Sequence, residues 1–259
     1  RFDYQNITFR EIDKINLIYD DIKAVLFDLG YSTIQIKDPS KGISFNSKGK
    51  LNMRMGINQF SAHEVVNKMS LESLQKIFKY FGEEKKSKII AKKIILLRKK
   101  KIIQTEDLIN IINFVKKAKK TKIHNATKTF QSLRVFVNQE VSQLIYGLIN
   151  SFKILPVGGM IVVITFHSLE DKIVKFFFKN YSENKNTSRY LPEKKKTKQL
   201  FSLIKKKPIF PSKEELKINP SSRSAKLRYA IKVNNSSDFI DFLKKFEHLL
   251  NIEKLSNHL

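Results

Sequence analysis

The spacing of apolar residues changes period several times along the chain, and each change marks an element. Ala24–Asp28 (AVLFD) is a short apolar run that ends in an acid and is followed by Gly30, Ser32 and Thr33. A run of this kind, bounded by turn residues, predicts a buried parallel strand. Its terminal acid falls where open α/β sheets bind ligands, although helix capping is the plainer role for an Asp there. From Ser61 to Ala118 the period becomes helical. Ser61 and Glu64 form a capping box. Leu71, Leu74, Ile77, Phe78 and Phe81 predict one helix, stopped at Gly82. Glu83–Lys101 predicts a basic helix, and Thr105 is placed as the cap of another that carries Leu108, Ile111, Ile112 and Val115. With no strand pattern in this stretch, residues 58–123 read as a helical module. The basic run Lys116–Lys122 leads out of it.

Thr127–Asn150 predicts one long amphipathic helix, its stripe running through Phe130, Leu133, Val137, Val141, Leu144, Ile145 and Leu148. The turn Pro156–Gly159 feeds a β-branched strand, Met160–Thr165. The chain then switches to Phe166-His167-Ser168 and a helix over Leu169–Lys179. Ser168 is expected to cap that helix, with Glu170 and Asp171 in its first turn. The polar, Lys-rich residues 182–200 predict a mobile segment. Lys207–Ile209 and Leu227–Val233 predict two strands at an antiparallel edge of the sheet. Between them, Pro220–Arg228 is dense in side chains that bind phosphate. Phe239, Phe242, Leu243, Phe246, Leu249 and Leu250 give a last helix one apolar face. Helix, turn, buried strand, polar switch and helix follow the order of an α/β domain.

Composition narrows the chemistry. Cysteine is absent from the 259 residues, which excludes disulfides and thiolate catalysis. The histidines, at 63, 124, 167, 248 and 258, share no metal-ligand spacing. The longest purely apolar run, Met160–Ile164, is far short of the ~20 residues that span a bilayer. The net charge of +26 comes from 50 basic and 24 acidic residues and creates a field that attracts polyanions. Lysine makes up most of it, and together with abundant Ile, Asn and Phe this is the drift expected of an AT-rich genome. The few arginines are therefore the more informative cations. A Ser-His hydrolase site is a poor fit, because His167 and Ser168 are adjacent and no nucleophile elbow is present.

Eight segments in order carry a resemblance. They are Asp28–Gln35 (DLGYSTIQ), Gly42–Phe45 (GISF), Leu51–Met55 (LNMRM), Tyr80–Glu84 (YFGEE), Ala126–Arg134 (ATKTFQSLR), Val137–Glu140 (VNQE), Phe166–Val174 (FHSLEDKIV) and Asn219–Arg228 (NPSSRSAKLR). Together they resemble the MraW/RsmH family of S-adenosylmethionine-dependent methyltransferases, which act on the N4 amine of a cytosine in small-subunit ribosomal RNA. Tyr31, Thr33 and Ile34 depart from the family's DLGVSSPQ, Asn52 from the Asp of its DMRM, and Lys172 from the Arg after LED. The family's glycine-rich cofactor loop has no counterpart here. The chain is accordingly expected to be a fragment or a truncation product, incomplete at its N-terminus and inactive alone. The tail beyond Asn235 lies past the usual family end.

The resemblance implies a Rossmann-like class I methyltransferase domain over 1–57 and 124–235, with its first strands absent. It further implies an inserted helical substrate-recognition domain over 58–123 and a helical tail over 236–259. It places Phe9, Asp28, Gly30 and Gln35 at S-adenosyl-L-methionine. It places Asp28, Ser32, His167 and Ser168 near the reacting amine, which needs positioning and hydrogen-bond acceptors more than a strong base. A core role is the plain alternative for Phe9. Arg54, Arg134, Arg223, Ser224, Lys226 and Arg228 are candidates for RNA phosphates, because an Arg fork grips phosphate in a way Lys cannot; internal ion pairs are the alternative. Tyr31 or Phe45 is a candidate to stack on the flipped base. The implied partner is the small ribosomal subunit or its RNA in the cytoplasm, with no metal and no membrane. Two other functions fit the same residues: a related methyltransferase acting on an organellar ribosomal RNA, and an inactive RNA- or ribosome-binding homologue.

Overall fold

The computed structural model describes residues 3–15, 21–38, 41–44, 50–56, 59–117, 124–182, 199–236 and 238–259. In chain order the elements are β1 (Ala24–Asp28), α1 (Thr33–Lys37), α2 (Ala62–Lys68), α3 (Leu71–Tyr80), α4 (Ser87–Arg98), α5 (Thr105–Lys116), α6 (Thr127–Val137), α7 (Glu140–Ile154), β2 (Met160–Thr165), α8 (Ser168–Ser182), β3 (Phe201–Ser202), α9 (Lys213–Ile218), β4 (Lys226–Lys232) and α10 (Ile240–Glu253). Short 3-10 turns cover Phe9–Lys14, Pro220–Ser224 and Lys254–His258. The chain divides into two compact units. One holds residues 1–30 and 142–246, the other 31–141 and 247–259.

The first unit contains the sheet, ordered β1-β2-β4-β3. β1 runs parallel to β2, with Asp28 opposite Ile164. β4 is antiparallel to both β2 and β3. Two expectations are corrected here. β1 is buried on one face only: Val25 and Phe27 point inward, while Leu26 is 62% exposed. It stands at the end of the sheet order among the described residues, and its outer face is open at Leu26. Lys207–Ile209 forms no strand, since only Ile209 bridges to Leu227. The strand that does pair there is Phe201–Ser202, so the sheet has the expected antiparallel edge but with a different outer strand beside β4. Residues 183–198, most of the predicted mobile segment, lie outside the described residues.

An aromatic cluster packs against this sheet. The Phe177 ring lies 5.3 Å from Phe201 and 4.8 Å from Phe242, and Tyr181 lies 5.4 Å from Phe239. Truncating a fully buried Phe of this kind to Ala costs about 3–5 kcal/mol. Lys232, at the end of β4, is buried, and its ammonium donates to the carbonyls of Phe152 and Leu155 at 2.8 and 2.6 Å. It thereby satisfies acceptors left open in the last turn of α7. Burial pushes its pKa below the ordinary lysine value.

The second unit is helical and takes in the whole predicted helical segment. Ser61 caps α2 through the expected box: Glu64 N donates to Ser61 Oγ at 3.4 Å, and Ser61 N to Glu64 Oε2 at 2.9 Å. α3 packs on α4 and α6, and α4 on α5, around Leu74, Ile77, Phe78, Ile90, Ile94 and Leu108. α3 ends at Tyr80 because the chain turns at Gly82. A Cβ at Gly82 would meet the Lys128 carbonyl oxygen at 2.3 Å, so only glycine permits that approach. The basic helix begins at Ser87, four residues later than expected. Glu83 has φ +50°, and buried Glu84 pairs with Lys116. α5 is capped from Gln104, whose N–H donates to Asp107 at 3.0 Å, and Thr105 is its first helical residue. The predicted helix 127–150 is two helices. The chain breaks at Asn138–Gln139, where Gln139 has φ +50° and Asn138 donates to the carbonyls of Arg134 and Met53. Within the basic run 116–122, residues 118–122 lie outside the described residues.

Candidate active site

In the sheet unit, the parallel strands β1 and β2 end side by side. Leu29 N donates to the Ile164 carbonyl at 3.2 Å, which continues the ladder one step past Asp28. Ligand sites of open α/β sheets form beyond such carboxyl ends. The Asp28 side chain is exposed there. Gly30 follows with φ +101°, a conformation that side chains rarely adopt. Its Cα faces the Phe166 ring, 3.5 Å from where a Cβ would stand. Phe9 packs edge-on against Phe27, ring centres 5.5 Å apart, and remains 44% exposed. One side of its ring therefore belongs to the core and the rest is open to a ligand.

The switch after β2 is built differently from expectation. α8 starts at Ser168, so Ser168 is the first helical residue and not the cap. His167 and Glu170 do the capping. Glu170 Oε2 accepts from the N–H groups of Phe166 and His167 at 2.8 and 3.2 Å, while His167 Nδ1 faces the Glu170 N–H at 3.4 Å. His167 Nε2 stands 3.0 Å from Glu170 Oε1 but is misaligned for a hydrogen bond, and it makes none among the described residues. The buried Glu170 carboxylate thus fixes the backbone of the turn and its N–H the imidazole, while Ser168 is left exposed at the helix N-terminus. The capping pattern was readable in the sequence, but it starts one residue earlier than a Ser-first search finds.

Asp171, one residue on, draws two of the predicted phosphate ligands inward. Arg228 Nε donates to Oδ1 at 2.7 Å and Lys226 Nζ to Oδ2 at 3.1 Å. Burial alone would raise this carboxyl. The hydrogen bonds from Arg228 and Lys226, and then their charges, outweigh it and hold Asp171 below the ordinary aspartate value. Arg228 and Lys226 thus form an internal ion-pair cluster with Asp171, the alternative to the phosphate role expected of them. Both lie on β4, whose register against β2 brings them over α8. Arg223 and Ser224, in the preceding 3-10 turn, are exposed.

In the helical unit, Ser32 and Gln35 close a reciprocal box at the start of α1. Ser32 N donates to Gln35 Oε1 at 3.1 Å and Gln35 N to Ser32 Oγ at 3.2 Å. Gln35 keeps its amide N–H groups and Ser32 its hydroxyl proton for other partners. Arg134 is the clearest correction. Its guanidinium is buried and grips Glu140 bidentately, Nε to Oε1 at 2.8 Å and Nη2 to Oε2 at 2.9 Å. It also lies 4.7 Å over the Tyr31 ring. With its fork filled and one face covered, it offers nothing to a phosphate, and the Tyr31 face it covers is unavailable for stacking on a base. Arg54 Nε donates to Asn52 Oδ1 at 2.8 Å, so the amide supplies the acceptor that the resemblance expects from an Asp. Asn138 holds this loop from both sides, donating to Met53 O and accepting from Met55 N, each at 2.8 Å. Phe45 lies outside the described residues. No helix among the described residues is long and apolar enough to cross a membrane.

Residues 1–233 match the family model of the MraW methylase family. Relatives named "Ribosomal RNA small subunit methyltransferase H" include that of Rhodopseudomonas palustris, 41% identical over 208 residues, which is 80% of this chain and 63% of the relative. The Bartonella bacilliformis protein is 37% identical over 251 residues, 96% of this chain and 74% of the relative. That of Agrobacterium fabrum is 40% identical over 239 residues, 91% and 70% respectively. The chain thus spans between under two thirds and about three quarters of the length of these relatives.

Proposed function

The chain belongs to the MraW methylase family, and from that premise we propose that the protein of which it is part methylates the N4 amine of a cytosine in small-subunit ribosomal RNA, using S-adenosylmethionine. The observation that carries the reading is the pair of neighbouring parallel-strand ends, with the exposed Asp28 carboxylate after β1 and the Glu170-anchored His167 after β2. The residues present fit the adenine end of the cofactor. An exposed carboxylate at the end of β1 and a half-open aromatic ring offer an acceptor for an amine and an apolar wall for a base. Asp28, Gly30 and Phe9 would hold it there, with Gln35 contributing an amide. The cofactor, when bound, supplies an electrophilic methyl group.

The work left to the protein is binding and orientation. The cytosine amine is a poor nucleophile because its lone pair is delocalised into the ring. Acceptors that hold its protons as it becomes tetrahedral lower the barrier. Asp28 and the Ser32 hydroxyl are the proposed acceptors; His167, whose Nδ1 already accepts from the Glu170 N–H, is proposed to position the turn after β2, and Ser168 at the α8 N-terminus faces a phosphate or the base. Arg223, Ser224 and Arg54 are the proposed RNA contacts. The helical segment 58–123 is proposed to recognise the substrate, which is assembled small-subunit RNA in the cytoplasm. Mapping N4-methylcytosine in small-subunit RNA with and without the gene tests the reading. Loss of one such site on deletion, restored by the intact gene and not by its Asp28→Ala form, is expected. An unchanged methylation map refutes it.

A further inference from the structure

A second surface of the sheet unit stands away from the strand ends. α8 and the first half of α10 pack through Phe176, whose ring stacks on Phe242 at 6.3 Å and meets Phe246 edge-on at 5.5 Å. Above this contact lies a cavity of about 510 Å³, floored by Phe176 and Phe246 and rimmed by Lys172, Lys175, Lys179 and Lys245. Lys245 Nζ sits 5.8 Å from the Phe176 ring centre. A second cavity of about 290 Å³ adjoins it, sharing Lys175 and Lys179 and adding Lys205, Lys206, Arg228 and Tyr229. No acidic residue lines either cavity among the described residues.

We infer that this double cleft is a docking track for single-stranded RNA, separate from the site of methylation. The larger cavity has the volume of a small-ligand site, ~300–1,000 Å³, and its aromatic floor suits one unstacked base. The shared lysines then stand where the flanking phosphates of the same strand pass into the second cavity. Aromatic platforms bordered by cations are how proteins hold single strands without reading sequence. The lysine spacing 172, 175, 179 follows helical periodicity and keeps all three on one face of α8. Asp171, the acidic residue next to Lys172 on α8, is paired with Arg228 and Lys226. Lys245 and Phe246 come from α10, which lies beyond the residues matched by the family, so the larger cavity draws on a part of the chain that the match does not include.

The choice of RNA as occupant rests on the proposed function, but the two are tested apart. The full 259-residue chain is titrated with a labelled twelve-nucleotide oligouridylate over a range of salt concentrations, alongside K175E/K179E/K245E and the charge-keeping K175R/K179R/K245R. Single strands release about 0.7 counterion per phosphate contact. The Glu variant is expected to bind on the order of a hundredfold more weakly at low salt, with a log–log salt slope flattened by about two, while the Arg variant matches the parent. Phe176→Leu, which keeps the core apolar, is expected to weaken binding about tenfold without changing the slope. Circular dichroism melts confirm folding, and the single variants K175E and K245E replace the triple if it fails to fold. Unchanged affinity and slope in a folded Glu variant overturn the inference. So does a loss confined to phosphatidylserine vesicles, which would make the track a membrane surface. A methylation map that changes on gene deletion, with oligouridylate binding unaffected by the variants, overturns the cleft alone. Loss of oligouridylate binding in the variants, with a methylation map unchanged by gene deletion, overturns the methylation reading and supports the cleft.

Discussion

Replacing Arg134 with Met separates a structural arginine from an RNA-binding one. The guanidinium makes two charged hydrogen bonds to Glu140, at 2.8 and 2.9 Å, with the two side chains 9% and 19% exposed. Removing one partner of a buried pair costs ~3–5 kcal/mol, because the other charge is left uncompensated. The residual exposure of Glu140 lets water reach it and moves the expectation to the low end. Loss of the contact over Tyr31 adds ~0.5–1 kcal/mol. The expected destabilisation is therefore about 3–4 kcal/mol, read as a lower urea midpoint. Most of it should return in Arg134→Met/Glu140→Leu, where neither charge remains, and the cycle of single and double variants isolates the coupling. The salt slope of RNA binding, measured where the variant is still folded, should equal that of the parent. A variant of parental stability whose slope is shallower by one unit would refute the ion-pair account and restore Arg134 as a phosphate ligand.

Arg223→Ala should flatten the salt slope of RNA binding by roughly one unit without changing stability, because Arg223 is exposed; an unchanged slope removes it from the interface. Asp171 is held below its ordinary value, so its ion pairs contribute stability above about pH 3.8 that is lost as pH falls through the lower folded-state value. Acid titration of Asp171→Asn, monitored by circular dichroism, should therefore show a shallower loss than the parent. Burial, reinforced by the charges of Asp241 and Asp238, pushes Tyr181 up to about 12 from 10.0. The stability this gives is present below pH 10 and should fall between 10 and 12, and Tyr181→Phe should remove that component of the fall in alkaline denaturation. Gly82→Ala would place a Cβ 2.3 Å from the Lys128 carbonyl oxygen, so the backbone must move; a clear drop in melting temperature is expected, and a parental melt would show that this turn yields without cost.

Local signals were readable wherever one short stretch decides the outcome. The capping box of α2 involves residues three apart. The helical stripe of α3 and the β-branched run of β2 each need only one apolar environment. The paired strand ends that carry Asp28 and His167 also follow from local grammar, since an apolar run ending in polar residues fixes where the strand stops. What the sequence left open depended on partners far along the chain. Whether Arg134 binds RNA or Glu140 turns on a helix break at Asn138, and that break is stabilised by Met53 and Met55, more than eighty residues earlier. Whether Lys226 and Arg228 face solvent turns on Asp171, set beside them only by the antiparallel register of β4 on β2. The outer strand beside β4 has only two residues, too few to show any period. Periodicity reports which face of an element is apolar. Which charge meets which is decided only when elements pack, because ion pairing falls off within a few ångströms and sequence distance carries no such information.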